Sequence, residues 1–216
     1  MYAKNLYCLN TRLAHLLSTV LHPLLMPTIL FILLFFRAPT SLGVDAFDSR
    51  FKWFIIAMIF VYTFALPSYL IYLMYRWGMI QSIRLENLEE RRLPYLLTAI
   101  IYILLGYFIY TKNALLFPSA YILWSIASVI FLVGIISFWW QISAHAAGVG
   151  GMIGTLAGLI SRFGESALFI PMLCLIVFAG FLLSARLQLN AHTPAQVGAG
   201  VVLGILMSFS SILFLF

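Results

Sequence analysis

The chain has 216 residues, 64% of them hydrophobic and 8% charged; soluble domains use roughly 45–50% apolar residues, so a water-soluble globule is excluded and an integral membrane protein is implied. The 12 basic and 6 acidic residues give a net charge of +6, but no basic stretch forms a continuous face outside the apolar runs, which argues against nucleic-acid binding. Cys8 and Cys174 are far apart and match neither a disulfide framework nor a zinc spacing. The length is that of one membrane domain, 1–216, and the N-terminal stretch lacks the features of a cleavable signal peptide.

A spanning helix needs about 20 mostly apolar residues. In chain order the predicted spans are 18–36, 53–75, 95–111, 119–140, a shorter glycine-rich segment at 146–161, 167–185 and 194–216. The expected fold is therefore all-α, a polytopic transmembrane bundle of six to seven spans. Within the first run His22 precedes Pro23 and His15 stands seven residues earlier; satisfied buried histidines are expected at both. Trp53, Trp77, Trp139 and Trp140 sit at segment ends, as interfacial aromatic belts require. In the glycine-rich segment Gly150, Gly154 and Gly158 recur at i, i+4 and i+8, a spacing that lets helices approach closely. With seven spans, the junctions at 75–95, 140–146 and 185–194 fall on one side of the membrane. Basic residues are nearly balanced across the two sides, so orientation stays open.

Those three junctions carry the chemistry, because ionisable groups near hydrocarbon are costly and mark functional sites. The first holds Arg84, Arg91 and Arg92, interleaved with Glu86, Glu89 and Glu90. A guanidinium fork suits phosphate oxygens, although taken alone this run reads as a solvated, ion-paired loop. The second places Ser143, Ala144 and His145 just before the glycine-rich helix, whose N-terminus offers unpaired N–H groups to an anion. The third runs from Arg186 through His192 to Gln196. Pro194 is suited to the first helical position, and His192 and Gln196 are about one helical turn apart, so the amide can orient the imidazole. A histidine held in one tautomer can act as a nucleophile. Together the clusters suggest one composite site for an anion.

In order and spacing these clusters resemble the three signatures of the type 2 phosphatidic acid phosphatase superfamily, which are Lys-x6-Arg-Pro, Pro-Ser-Gly-His and Ser-Arg-x5-His-x3-Asp. Arg84 stands in the lysine position, Arg91 follows after six residues, and Arg91-Arg92-Leu93-Pro94 replaces a plain Arg-Pro. Ser143-Ala144-His145 keeps the serine and histidine of the second signature, and Arg186 with five residues before His192 fits the third. The similar stretch covers 84–196, within a phosphatase-like core at about 76–216. The resemblance implies a hydrolase of lipid phosphomonoesters or pyrophosphates that works without metal or other cofactor. His192 would attack phosphorus and His145 would protonate the departing oxygen. Arg84, Arg91 or Arg92, Arg186, Ser143 and the backbone at Ala144 would hold the phosphoryl group. The expected partners are the lipid phosphate and membrane lipids, with no nucleic acid; the expected location is a bacterial inner membrane. The sequence departs at Gln196, where the family has aspartate. Either Glu86, Glu89 or Glu90 supplies the missing carboxylate, or the protein is a slow or lapsed phosphatase that binds or transports an anionic lipid.

Overall fold

The computed structural model describes residues 10–83, 85 and 87–214, which form helices and connections with no strand among them. In chain order the helices are α1 (Thr11–Val20), α2 (Met26–Arg37), α3 (Ser49–Phe60), α4 (Leu66–Arg76), α5 (Leu88–Lys112), α6 (Phe117–Ile136), α7 (Ala144–Phe163), α8 (Phe169–Gln188) and α9 (Pro194–Leu213). A π-helical turn, Val61–Ala65, joins α3 to α4. Six helical stretches are long and apolar enough to cross a membrane, and α2 is a shorter apolar helix.

Two expectations about the spans are corrected. The first run, 18–36, is not one helix. Pro23 lacks an N–H and pushes the residue before it out of the helical region, so the chain breaks between Val20 and Met26. The 12 residues of α2 rise only about 18 Å. Conversely, the glycine-rich segment is a full 20-residue helix, α7, and it is the most enclosed of the six long stretches.

Its glycines explain the enclosure. A Cβ on Gly150 would come 2.5 Å from the Val201 carbonyl oxygen, and one on Gly154 2.5 Å from that of Ile205. On the facing helix, a Cβ on Gly204 would meet the Ala147 carbonyl. Small residues therefore bring α7 and α9 into backbone contact, and the two helices run parallel.

The junction of α3 and α4 follows from Pro67. A proline cannot bond the carbonyl four residues earlier and its ring crowds that oxygen, which here belongs to Thr63. The backbone widens into the π turn, and the Tyr102 hydroxyl of α5 donates to the freed Thr63 carbonyl at 2.9 Å. Both residues are fully buried, where an unsatisfied carbonyl would be costly.

The connections sort to two ends. Ser41, after α2, bonds Glu165, after α7, and Gly43 packs on the Leu115 backbone between α5 and α6. At the other end, Met26 lies beside Gly148 near the start of α7. So α2 traverses the bundle alongside α7, and the connections before α2, α5, α7 and α9 share one end.

Candidate anion site

At that end a cavity of about 800 Å³ opens among the helices, and all four histidines of the chain line it, together with Arg91, Tyr95 and Arg186. Each polar side chain is placed by a local feature of the backbone.

Arg91 stands in the first turn of α5, 6% exposed, and its Nε donates to the Leu85 carbonyl at 2.6 Å. Leu85 has a φ of 54°, a left-handed conformation that costs a branched residue about 1–2 kcal/mol. Arg186 and His192 are brought together by the way α8 ends. Asn190 takes a φ of 50°, which Asn tolerates better than most residues, and the Ala191 amide turns back to the Arg186 carbonyl at 3.2 Å. The chain then re-enters a helix at Pro194.

The tautomers of three histidines follow from backbone partners, since a carbonyl only accepts and an amide only donates. His192 Nδ1 lies 3.1 Å from the Gln141 carbonyl, so Nδ1 carries the proton and Nε2 has the lone pair. His145 is the reverse: its Nε2 lies 3.1 Å from the Ser18 carbonyl, leaving the lone pair on Nδ1. His22 Nδ1 accepts from the Leu24 amide at 3.3 Å, and its ring meets that of His145 edge-on, with centroids 6.0 Å apart. The Ser18 hydroxyl also accepts from Arg186 Nη1 at 3.5 Å, so the end of α1 is tied to both α7 and α8. Burial pushes the His192 imidazole down to about 4, helped by the positive charges of Arg186 and Arg91 and opposed by its bonds to Gln141 and Gln196. Burial, then Arg186, also lowers His22.

The residues expected from the sequence divide. Arg91, Ala144, His145, Arg186 and His192 line the cavity. Arg92 does not: its guanidinium lies 4.5 Å from the centre of the Phe138 ring and bonds the Phe138 carbonyl at 3.4 Å, because one residue along a helix turns a side chain to another face. Ser143 is fully buried and caps α7, accepting from the Ala146 amide at 3.4 Å. Gln196 is chiefly a cap: its side chain accepts from the Thr193 amide at 3.0 Å, completing a capping box at α9. The group that fixes Nδ1 of His192 is the Gln141 carbonyl. Arg84 and Glu86 lie outside the described residues. Glu89 is exposed and Glu90 accepts from Asn87 at 3.0 Å. No carboxylate lines the cavity among the described residues, and no group of three His, Cys, Asp or Glu among them is placed to hold a metal ion.

Sequence reasoning missed Ser18, Tyr95 and Gln141, and expected satisfied buried histidines at His15 and His22, whereas His15 is exposed, His22 is half-buried and both line the cavity. The signal for His22 was present, an ionisable residue before a proline inside an apolar run. Gln141 acts through its backbone, so its identity carried none.

Two guanidiniums, the N-terminus of α7 and two imidazoles therefore share one cavity. Arg186 Nε is buried without a hydrogen-bond partner among the described residues, a cost that an anion would relieve. No family model, curated protein or solved structure matches the chain.

Proposed function

We propose that the protein is a multi-pass membrane hydrolase of a lipid-linked phosphomonoester or pyrophosphate, similar in chemistry to type 2 phosphatidic acid phosphatases, in a bacterial inner membrane. The observation that carries this reading is His192. Its Nδ1 is tied to the Gln141 carbonyl, its Nε2 lone pair is free of the proton, and it shares a cavity with Arg91 and Arg186.

In the proposed reaction the phosphate sits between the two guanidiniums and the start of α7. The Nε2 lone pair attacks phosphorus, and the bond to the leaving oxygen breaks. His145 Nδ1 takes up the proton that the phosphate monoanion brings into the site and passes it to the leaving oxygen. Water then attacks the phosphohistidine, His145 Nδ1 takes a proton back from it, and phosphate leaves with His192 restored. Arginine donors held at the cavity wall stabilise the charge spread over the equatorial oxygens. The lowered basicity of His192 keeps it neutral at physiological pH, so no carboxylate is needed to deprotonate it. A carbonyl at Nδ1 sets the tautomer but supplies no charge to the developing imidazolium, which favours slow turnover.

That missing charge also supports a second reading, a lapsed enzyme that binds an anionic lipid. Purified protein in nanodiscs separates the two. An enzyme releases inorganic phosphate from a lipid phosphate without added divalent metal, and loses at least 10²-fold in rate in His192→Ala and in His145→Ala. Vanadate binding without turnover on a broad lipid panel would favour the binding protein. Release that is unchanged in both variants would reject the assigned roles.

A further inference from the structure

The cavity is larger than a phosphate site requires. A phosphoryl group occupies the space of a few waters, on the order of 100 Å³ at about 30 Å³ each, against about 800 Å³ available. The remaining space is mainly apolar, with the Ser208 and Thr98 hydroxyls among its walls, and lies beneath the cationic rim. Its walls are Val133, Val129 and Ile126 on α6, Met26 and Leu30 on α2, and Met152 on α7. Its floor is packed protein, since Leu30 and Met152 belong to the buried core with Phe31, Leu123 and Leu156.

The depth can be read along two helices. Ala144 at the rim and Met152 below it are eight residues apart on α7, about 12 Å at 1.5 Å per residue. Ile126 and Val133 are seven residues apart on α6, about 10 Å. Over most of these walls a polar ligand such as a sugar phosphate would leave hydroxyls unpaired, against Val129 and Leu30 for example. A charged rim over a mainly apolar pit matches an amphiphile entering with its chain downward.

We infer that the pit holds the hydrocarbon nearest the substrate's phosphate, end-on, so the protein selects amphiphilic phosphates by their first eight to ten carbons. The count comes from the depth: a bond of about 1.5 Å advances an extended chain by roughly 1.25 Å. The inference rests on the proposed phosphate site but not on turnover. Glycerol or sugar groups next to the phosphate are disfavoured, and alkyl or isoprenyl phosphates are preferred. Chain beyond the tenth carbon meets the packed floor and buries no further surface.

The test is binding of n-alkylphosphonates, which cannot be hydrolysed, from two to fourteen carbons, to the full-length protein in nanodiscs. Affinities are referred to the free aqueous concentration, so that partition into lipid drops out. Affinity should rise about fourfold per methylene, the weight of one buried CH₂, and level off between eight and ten carbons. Val129→Trp should level the series near four carbons, weakening decylphosphonate tenfold or more and ethylphosphonate less than twofold. Met152→Phe replaces it if the tryptophan variant does not fold. A flat series overturns the inference, as does a rise that continues past ten carbons and ignores both substitutions, since the chain would then lie in lipid. Phosphate release from the matching alkyl phosphates, measured in parallel, separates the two claims. Levelled binding without release sinks only the hydrolase reading, and release with flat binding sinks only the pit.

Discussion

His192 and Arg186 show how position sets chemistry at the scale of a residue. An ordinary histidine is half protonated near pH 6.5; His192, buried beside Arg186 and Arg91, is half protonated near 4. A depressed value means that the neutral, nucleophilic form persists as pH falls through 6 and 5 and is lost only near 4. Its reaction with diethylpyrocarbonate, read by mass spectrometry in the free protein, should therefore be constant from pH 7 to pH 5 and halve near 4. A midpoint near 6.5 would show that the ring is solvated. Folding stability follows the same sign: the unfolded chain takes up the proton first, so this histidine's contribution is complete above about 6.5 and is lost as pH falls toward 4. Arg186 donates from Nη1 to Ser18 and has Nε buried, so a lysine cannot replace its fork. Arg186→Lys should weaken vanadate binding by tenfold or more, of the order of one charge-assisted bond. Unchanged binding would remove Arg186 from the site.

At the scale of an element, two contacts govern how the helices sit. The first is the proline-induced opening at Thr63 closed by Tyr102. Tyr102→Phe leaves that carbonyl buried and unpaired, and should cost about 1–3 kcal/mol, seen as earlier thermal unfolding in detergent; an unchanged transition would show that the π turn satisfies itself. The second is the α7–α9 seam. Gly154→Ala forces a Cβ toward the Ile205 backbone, an overpacking worth about 1–3 kcal/mol, whereas a Cβ on Gly180 meets nothing within 4 Å. The first substitution should lower the unfolding temperature and the second leave it in place; equal effects would contradict the seam. That seam was legible, because glycine at every fourth position has one common physical use in a membrane helix. The break at His22–Pro23 was written in the same letters, yet the hydropathy of 18–36 overrode it, since a window of apolar residues does not register one missing N–H.

For the whole molecule, the parity of crossings decides what can meet. Three charged junctions expected on one side do lie at one end, because two full crossings separate each from the next, α5 and α6 and then α7 and α8. Hydropathy gave that result from sequence. It could not give the fourth connection at the same end, 21–25, which brings Ser18 and His22 against His145. The partition within the clusters was also closed to sequence. Arg91 and Arg92 are chemically alike and adjacent, and only the helix phase turns one inward and the other onto Phe138. Gln196 falls at the interval of the family's aspartate and does bond His192, but it also caps α9, and a backbone carbonyl at Gln141, whose identity carries no signal, holds Nδ1.

A vanadate-bound structure of the protein in lipid tests the composite anion site most directly. Vanadium should bond to His192 Nε2, with Arg91 and Arg186 on its equatorial oxygens and His145 facing the apical one. Vanadate found on Arg92 or in the opposite connections, with the cavity between His145 and His192 empty, would contradict the account.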